Sequence, residues 1–364
     1  MKVVNIVTQM EAGGAQQAAV HLASSLQDRG HESEVWFLYM KRPTYLDNRG
    51  IRVILNRKPE GFVDILFIFF GLIKLIRCFK PDAVITHTYY ANIMGQLAAC
   101  MFGVQARLAV QHNPAYTYPK TARFLDFFMG SLGFYKNNVT VSKTAFDSFN
   151  SYPAIYRKRL KIINNGISFR APKLSQANAR CRFGLPVDCP LIVNVGRLAA
   201  QKNQRLLIHI LERLPGVRLA VAGEGELRSF LEEEAVSLNI SERVFLIGEI
   251  SPSDIADFLI AGDIFVFPSS FEALPYALVE AMTAGLPVIT SDIPSIRDVL
   301  DGSDREQAGI LVCLNNEDGF RKAIQKVLDD SELARHLSEL AKERAAAFDS
   351  IKMADNYEQL LVTL

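Results

Sequence analysis

The chain has 364 residues, of which 49% are hydrophobic and 22% are charged, with a formal net charge of +1. This composition excludes a largely disordered chain, and the length favours two domains. Five cysteines, an odd number with no CxxC pair, indicate neither a disulfide framework nor a zinc site, and they fit a reducing compartment. The N-terminal MKVVNIVTQM predicts a strand and a loop rather than a secretion signal.

The charges are distributed unevenly along the chain. Residues 1–165 contain 20 Lys and Arg against 10 Asp and Glu, a net of +10, and residues 166–364 contain 20 against 29, a net of −9. A basic half indicates an anionic partner, and nucleic acid, anionic lipid and a phosphorylated acceptor all qualify. The alternative is that the two halves simply attract each other.

Short apolar runs alternate with helical patterns along the first half. Strands are predicted at Val3–Thr8, Glu34–Leu38, Ala83–Thr86, Arg107–Gln111 and Asn138–Val141. The helix Ala15–Arg29 ends before Gly30, as helices often do. Gly13 and Gly14 stand between the first strand and this helix, where glycine lets the backbone approach a ligand, although the GxGxxG fingerprint is absent.

The most apolar segment is Phe62–Ile76, FVDILFIFFGLIKLI, which continues through Arg77 to Lys80. Interrupted by Asp64 and Lys74, it does not reach the roughly 18 apolar residues that a transmembrane helix needs. Two interpretations are open: a buried helix of an α/β layer, or a helix in a membrane interface with a basic end. Its four phenylalanines favour the interface.

The second half shows the same alternation, with strands predicted at Leu191–Val195, Arg218–Ala222, Val244–Ile247, Ile264–Phe267 and Pro287–Thr290. Helices such as Gln204–Leu214 lie between them, and Asn165–Pro190 is interpreted as a linker because it has no sustained period. Alternating strands and helices predict parallel sheets covered on both faces. The expected fold class is therefore α/β, with two Rossmann-like doubly wound domains facing across a ligand cleft at the carboxyl ends of their strands.

The segment FPSSFEALPYALVEAMTAGLPVIT, residues 267–290, carries the strongest chemical signal. A strand and a polar loop precede a helix predicted between Pro275, as its first residue, and Gly285, just past its end. The free N–H groups and the dipole at the start of such a helix suit a phosphate. Glu280 inside the helix can accept hydrogen bonds from ribose hydroxyls, and Glu272 before it from a sugar ring. Alternatively, both glutamates are solvated surface groups.

Two cations follow the strand Leu191–Val195: Arg197, directly after Gly196, and Lys202, just before a helix. Arg can clamp a diphosphate bidentately and Lys can act as a point charge, although most such residues are surface cations. The sequence contains no DxD motif. A diphosphate bound here would be neutralised by protein cations and helix dipoles rather than by Mg²⁺.

Two histidines follow predicted strands of the first half, His87 in VITHTYY and His112 in VQHNPAY. A histidine at a strand end in an α/β cleft can donate to a sugar hydroxyl. We expect this role for His112, whereas for His87 a structural and a functional role are both open. The remaining histidines, His21, His31, His209 and His336, are interpreted as structural.

Together these segments resemble retaining glycosyltransferases of the two-Rossmann-domain (GT-B) type, family 4 (glycosyl transferases group 1), over nearly the whole chain. The resemblance rests on the order and spacing of GGAQ at 13–16, VSK at 141–143, NNGI at 164–167, VGRLAAQKN at 195–203, AGEG at 222–225, IGEI at 247–250 and the E-x7-E from Glu272 to Glu280. It implies a nucleotide diphosphate sugar as substrate, without a cofactor or a metal ion.

The resemblance also implies roles for the matching residues. The catalytic residues would be His112, near the reacting carbon of the sugar, Arg197 and Lys202 on the diphosphate leaving group, and Glu272 on the transferred sugar. The donor-binding residues would be Gly14, Gly196, Gly223, Gly248, Ile250, Ala273, Leu274, Pro275 and Glu280. Family members often carry Gly-Phe or Gly-Leu after the first glutamate, and the extra methyl of Ala273 would tighten the sugar pocket.

In this interpretation residues 1–168, with a final helix 350–364 that crosses back, form an acceptor-binding domain, and residues 169–349 form the donor-binding domain. The expected reaction transfers a hexose or N-acetylhexosamine, with retention, from a UDP-sugar to a lipid-linked or glycan acceptor of cell-envelope polysaccharide synthesis. Uracil is expected because it is the commonest base in such families.

The enzyme would be cytoplasmic, with an anionic membrane surface as a partner through Phe62–Lys80 and no nucleic-acid partner. Two alternatives stay open: a nucleotide-sugar epimerase on the same scaffold, and a non-catalytic module that binds sugar nucleotides.

Overall fold

The computed structural model describes residues 1–11, 13–167, 171–272, 275–301 and 306–363. Its contacts divide the chain into two compact units: unit 1, Met1–Ser168 with Phe348–Leu364, and unit 2, Phe169–Ala347. Each unit has its own parallel sheet and its own hydrophobic core, which is what a domain requires.

The strands of unit 1 are β1 (Lys2–Met10), β2 (Glu32–Met40), β3 (Ile51–Leu55), β4 (Ala83–His87), β5 (Ala106–Gln111), β6 (Asn137–Thr140) and β7 (Leu160–Ile162). They form one parallel sheet in the order β3-β2-β1-β4-β5-β6-β7. The strand order reverses between β1 and β4. In doubly wound sheets ligands bind at this point, outside the carboxyl ends of the strands.

The helices of unit 1 are α1 (Gly14–Asp28), α2 (Phe62–Phe79), α3 (Tyr89–Met101), α4 (Lys120–Leu132), α5 (Lys143–Asp147), α6 (Ala154–Arg157) and the C-terminal helix (Ser350–Val362). α2 packs against α3, and α3 against α4, on one face of the sheet. α1 and the C-terminal helix pack together on the other face, because the crossover β1–α1–β2 runs in the opposite direction.

The C-terminal helix is fastened to unit 1 at its start and along its length. A Cβ on Gly166 would lie 2.3 Å from the Ser350 Cα, so only glycine lets the chain approach this closely. Further along, the Arg29 guanidinium pairs with Asp355 at 2.6 Å and with Glu358 at 3.0 Å. The prediction of a final helix that belongs to the first domain is confirmed.

α2 is buried on one side and exposed on the other. Its inner side chains are Ile68, Leu72, Ile76 and Phe79, and its exposed ones include Phe62, Val63, Leu66, Phe67 and Phe70. The segment is therefore a helix of an α/β layer that also presents an apolar outer face. Among the helices that the structure describes, none combines the length and apolarity needed to cross a bilayer.

The strands of unit 2 are β8 (Leu191–Val195), β9 (Arg218–Ala222), β10 (Val244–Gly248), β11 (Ile264–Phe267), β12 (Val288–Ser291) and β13 (Ile310–Val312). They form a parallel sheet in the order β10-β9-β8-β11-β12-β13, so the strand order reverses between β8 and β11. The helices are α7 (Gln176–Arg182), α8 (Gln204–Glu212), α9 (Arg228–Ser237), α10 (Ile255–Ile260), α11 (Tyr276–Ala284), α12 (Pro294–Leu300), α13 (Glu317–Asp329) and α14 (Ser331–Ala345).

The interpretation of Asn165–Pro190 as a linker is wrong for its middle part, where α7 forms. Ser175 caps this helix, and the buried Arg180 guanidinium donates to the carbonyls of Ala261 and Cys189 and to the Asp263 carboxylate. Because α7 has only seven residues, its sequence is too short to show a helical period. It is part of unit 2 rather than a spacer.

Candidate functional site

Two of the predicted charged residues of unit 2, Lys202 and Glu272, meet at the switch point of its sheet, in the loops that follow β8 and β11. The Lys202 Nζ donates to the Glu272 Oε1 at 2.7 Å, and the two side chains are 19% and 7% exposed. The same ammonium group lies 5.1 Å from the centroid of the Phe267 ring, where the aromatic face attracts a cation. Lys202 therefore has a defined position at the carboxyl end of β11, with only a small accessible surface.

Hydrogen bonds to backbone carbonyls hold these two loops together. The Gln201 carbonyl accepts from the Ser270 N–H at 2.8 Å, and the Gln201 side-chain amide donates to the Phe271 carbonyl at 2.8 Å. Asn203, with a left-handed φ of 53°, also donates to the Pro268 carbonyl at 3.4 Å. The distance between the Lys202 and Glu272 side chains is thus set by hydrogen bonds that sequence reasoning missed, since both partners of each bond are ordinary loop residues.

α11, which follows the loop after β11, carries a second carboxylate, that of Glu280. Pro275 precedes the helix instead of forming its first residue, and Gly285, with φ 82°, ends it as predicted. Glu280 is half-buried, and burial raises the pKa of its carboxyl to about 7. Among the described residues no side chain pairs with it. The carboxylate is therefore able to accept hydrogen bonds from the hydroxyl groups of a ligand. Ala273 and Leu274, two of the predicted donor contacts, lie outside the described residues.

Arg197 does not join the Lys202–Glu272 pair. Its guanidinium donates to the Glu226 Oε2 at 2.8 Å, and both side chains are more than half exposed, at 68% and 54%. Its backbone is nevertheless fixed, since the buried Gln204 amide donates to the Arg197 carbonyl at 3.1 Å. The structure thus brings together Lys202 and Glu272 of the predicted set and leaves the Arg197 side chain on a separate exposed partner.

The glycines of unit 2 have a packing role. Gly223 has φ 145°, and a Cβ there would lie 2.1 Å from the Gly196 carbonyl oxygen. A Cβ on Gly225 would lie 2.2 Å from the Leu198 carbonyl oxygen. These glycines let the loop after β9 pass directly beneath the loop after β8, which carries the cations. A Cβ on Gly196 itself would only touch the Lys202 stem, at an ordinary 3.5 Å.

The remaining predicted donor contacts lie at strand and helix ends. Gly248 has φ 86°, and its carbonyl accepts from the Gly223 N–H at 2.8 Å. Ile250 is half-buried just beyond the edge strand β10. In unit 1, Gly14 is the first residue of α1, and Gly13 before it is extended, with φ −175°. A Cβ on Gly13 would meet only the flexible end of the Gln16 side chain, so the backbone conformation does not require glycine there.

The two strand-end histidines of unit 1 contact each other. The His87 Nδ1 lies 3.0 Å from the His112 Nε2, and both rings are buried. The His87 Nε2 lies 3.1 Å from the Asn5 Oδ1, and the His112 Nδ1 lies 3.4 Å from the Asn165 Nδ2. Burial lowers the pKa of His112 to about 3 and that of His87 well below its ordinary value, so both rings are neutral near pH 7.

A buried carboxylate anchors the strand that precedes His112. Asp126 of α4 is fully buried and accepts hydrogen bonds from Gln111 at 2.9 Å, Tyr135 at 3.1 Å and Tyr156 at 2.6 Å. Burial raises the pKa of this carboxyl. The cluster fastens α4 to the end of β5, directly before His112. The signal for this cluster in the sequence is an aspartate among the apolar residues of RFLDFFM.

The sequence matches two family descriptions that together cover most of the chain. Residues 175–344 match "Glycosyl transferases group 1", and residues 12–170 match "Glycosyltransferase Family 4". The chain is 28% identical over 354 residues to the lipopolysaccharide core biosynthesis glycosyltransferase LpsE of Rhizobium meliloti (strain 1021), covering 96% of each protein. It is 27% identical over 308 residues to the UDP-Gal:alpha-D-GlcNAc-diphosphoundecaprenol alpha-1,3-galactosyltransferase of Escherichia coli, covering 81% of this chain and 78% of that protein.

Solved glycosyltransferases share the fold. The structure of Anabaena HepE in complex with UDP and glucose superposes with a TM-score of 0.82 at 18% identity, over 100% of both chains. A glycosyltransferase from Rickettsia africae ESF-5 superposes with a TM-score of 0.81 at 17% identity, over 99% of this chain and 98% of that one. With two parallel α/β domains and both family matches, the chain belongs to the group 1, family 4 glycosyltransferases and has their GT-B fold.

Proposed function

We propose that the chain transfers a hexose or N-acetylhexosamine from a UDP-sugar to a lipid-linked or glycan acceptor, with retention of anomeric configuration. One observation carries this proposal: the Lys202 ammonium is held at the switch point of unit 2 by a single carboxylate, that of Glu272. A diphosphate can take over this cation, because it brings more negative charge than one carboxylate does. Glu272 is then released to accept hydrogen bonds from the sugar.

Unit 2 also offers the groups that the rest of the donor needs. The start of α11 provides backbone N–H groups and the positive end of a helix dipole for phosphate. The half-buried Glu280 provides an acceptor for the two vicinal hydroxyls of the ribose. We therefore assign donor binding to residues 169–349 and acceptor binding to residues 1–168 with 350–364. In this assignment, Lys202, Arg197 and the helix dipole neutralise the diphosphate, and no metal ion is required.

The names of the relatives support the choice of donor and acceptor. The Escherichia coli relative is named for a UDP-galactose donor and a diphosphoundecaprenol acceptor. A Campylobacter jejuni relative, 29% identical over 265 residues, covering 71% of this chain and 70% of that protein, is also named for a diphospho-undecaprenol acceptor. The HepE structure contains UDP and glucose. Both lipid-linked acceptors are anionic, which suits the net charge of +10 in residues 1–165.

Retention is proposed to follow from attack on the same face of the sugar that the leaving diphosphate occupied. The donor's own phosphate oxygen then takes the proton of the acceptor hydroxyl as the glycosidic bond to UDP breaks. The protein contributes positioning and stabilisation of the charge that develops on the leaving group. We assign this stabilisation chiefly to Lys202, whose ammonium group is held by the Glu272 carboxylate.

The test begins with thermal shifts of the full chain in the presence of UDP, GDP, ADP and their sugars, because a ligand of the native state raises apparent stability. We expect UDP and one UDP-sugar to give the largest shifts, unchanged by EDTA. That donor is then incubated with a diphospho-undecaprenol-linked sugar, and the anomeric configuration of the product is determined by NMR. Isomer exchange of the donor without acceptor would indicate an epimerase, and donor binding without UDP release would indicate a binding module.

A membrane surface is the proposed location of the acceptor, on the cytoplasmic face. The outer side of α2 exposes Phe67 and Phe70 at 57% and 63% and then the basic Lys74 and Arg77. In the same helical layer, α4 exposes the apolar side chains Phe124, Leu125, Phe128 and Leu132 together with Lys120 and Arg123. Apolar side chains flanked by cations are what an interfacial helix needs to bind anionic lipid.

Flotation with vesicles of phosphatidylglycerol and phosphatidylcholine tests this location. We expect the protein to float and the Phe67→Asp/Phe70→Asp variant to remain in the soluble fraction. The matched control is Phe230→Asp/Val236→Asp, which adds the same charge to exposed apolar positions of α9 in unit 2. Equal flotation of the α2 variant and the unmodified protein would remove the membrane from the proposal.

A further inference from the structure

A chain of buried polar groups crosses the sheet of unit 1 near its switch point. It starts at Asn165, passes through His112 and His87 at the strand ends, and continues to Asn5 on β1 and Ser33 on β2, all at most 5% exposed. The successive heavy-atom distances are 3.4, 3.0, 3.1 and 3.5 Å. Buried groups of this kind must satisfy one another, because water does not reach them.

The chemistry of the end groups sets the direction of every hydrogen bond. The Asn5 Oδ1 can only accept, so the His87 Nε2 that faces it carries the proton. A neutral ring then has a lone pair on its other nitrogen, and the His87 Nδ1 therefore accepts from the His112 Nε2–H. The His112 Nδ1 is left without a proton, and it faces the amide of Asn165, which donates. Donors and acceptors alternate from one end of the chain to the other without conflict.

We propose that His87 and Asn5 are positioning residues that hold His112 in its Nε2–H tautomer, so that His112 presents Nδ1 as a hydrogen-bond acceptor. The expected direction of the hydrogen bond between His112 and a sugar hydroxyl then reverses: the hydroxyl of the donor sugar donates to the His112 Nδ1. The contact of Nδ1 with Asn165 is the longer of the two that the His112 ring makes, which makes Asn165 the partner that a hydroxyl replaces. Only this sugar contact rests on the proposed function, because the tautomer is a property of unit 1 alone.

In the competing arrangement, every hydrogen bond between these groups runs in the opposite direction. If the side-chain amides of Asn5 and Asn165 were both turned over, His87 would donate from Nδ1, and His112 would donate from Nδ1 towards Asn165. The two arrangements protonate different nitrogens of each ring, so a measurement on the unmodified protein distinguishes them. In the proposed arrangement both rings carry the proton on Nε2, and in the reversed one both carry it on Nδ1.

The experiment is a long-range ¹H–¹⁵N NMR spectrum of the full chain labelled with ¹⁵N-histidine, in which protonated and bare ring nitrogens have distinct shifts. His112→Asn and His87→Gln spectra identify the two rings. We expect Nε2–H signals for both rings of the unmodified protein and a bare Nδ1 on His112. A protonated Nδ1 on His112 overturns the proposal, whatever the variants do.

Two substitutions at position 87 then separate positioning from packing. His87→Gln retains a carbonyl that can accept from the His112 Nε2–H, and His87→Phe retains a ring without an acceptor. We expect the Gln variant to keep the His112 tautomer and most of the turnover. The Phe variant should lose the single tautomer and about tenfold in kcat, the scale of one hydrogen bond, with little change in the KM for the donor.

Equal spectra and equal kcat in the two variants would overturn the positioning role. Failure of the proposed function looks different: an unmodified protein that turns over no nucleotide sugar, yet shows the Nε2–H tautomer on both rings, contradicts the proposed function and supports the tautomer assignment.

Discussion

In unit 1 the two histidines at the strand ends are buried and neutral, whereas in unit 2 the loops after the strands carry two ion pairs, one mostly buried and one exposed. Burial lowers the pKa of His112 to about 3 and that of His87 well below its ordinary value, so both rings favour the uncharged form. In unit 2, Lys202 and Glu272 form an ion pair that is partly open to solvent. Glu280 is poised between its charged and neutral forms, because burial raises the pKa of its carboxyl to about 7.

This difference indicates which part of a donor each unit can bind. A buried neutral network cannot take up a diphosphate without the cost of desolvating an uncompensated charge. An ion pair with one replaceable partner can, because the incoming anion substitutes for the outgoing carboxylate and the cation is never left unpaired. The charged part of a nucleotide sugar therefore suits unit 2, and the hydrogen-bonding preferences of a neutral sugar suit the fixed tautomer in unit 1.

The largest effect is expected from the Lys202 charge. Lys202→Met removes the ammonium group but keeps an apolar stem over Gly196. We expect turnover of the donor to fall by about 10²-fold or more, the scale of losing one charge partner in the transition state. Arg197→Met is expected to cause a loss of the same order. Steady-state kinetics measure both, with Lys322→Met on the exposed face of α13 as the control. Near-normal turnover in both site variants would place the diphosphate elsewhere.

The second largest effect is expected on the free energy of unfolding, when a Cβ is added to Gly223 in unit 2 rather than to Gly13 in unit 1. Gly223→Ala places a Cβ against the Gly196 carbonyl in a backbone conformation with φ 145°, and such strain costs about 1 to 3 kcal/mol. Gly13→Ala meets only the flexible Gln16 side chain in an extended backbone and should change the free energy of unfolding far less. Urea unfolding of the two variants provides the comparison, with Gly216→Ala, where a Cβ meets nothing within 4 Å, as a further control. Equal losses at positions 13 and 223 would contradict the close packing of the two loops.

The central strands of both sheets could be predicted from the sequence, and the edges were the difficult part. β8, β9 and β11 have the predicted bounds, because each is a short, nearly continuous apolar run that is buried on both faces. The strands that the prediction missed, β3, β7 and β13, all lie at a sheet edge. An edge strand buries less of its surface, so its apolar pattern is weaker, as in the largely exposed LKI of β7.

The candidate site was predicted as a set of residues but not as a set of pairs. Position after a strand indicated Lys202 and Glu272 as candidates, position in the following helix indicated Glu280, and the family resemblance supplied their roles. Position could not show that Arg197 pairs with Glu226, 29 positions away, instead of facing Lys202. It also left His87 undecided, because a contact between the ends of two neighbouring strands depends on register, which one sequence does not reveal.

A smaller effect is expected from the titration of Glu280. Ribose hydroxyls donate to the ionised carboxylate, so bound UDP stabilises the charged form and lowers the raised pKa of about 7. UDP binding should therefore tighten as the pH rises towards about 7, by up to about tenfold in Kd for each unit by which binding lowers the pKa, and should level off above that pH. Over the same range UDP binding should release a proton. Calorimetry in two buffers of different ionisation enthalpy measures this release. Glu280→Gln should abolish the proton release that comes from Glu280. The proton release from UDP itself is the same in both proteins and cancels when the two are compared. The same proton release in the Gln variant would assign it to another group.

The smallest effect is expected at the Arg197–Glu226 pair of unit 2, whose two side chains are both more than half exposed. Exposed pairs contribute little to stability, so Glu226→Gln should leave unfolding unchanged. It also removes the carboxylate that competes with a diphosphate for the Arg197 guanidinium, and UDP should bind about threefold more tightly as a result. The gain should shrink in high salt, because exposed charges are screened. Glu232→Gln, which removes one of the two carboxylate partners of Arg228 in the same unit, is the matched control. If Glu226→Gln binds UDP no better than this control at low salt, Arg197 remains outside the donor site and Lys202 is the cation on which diphosphate binding depends.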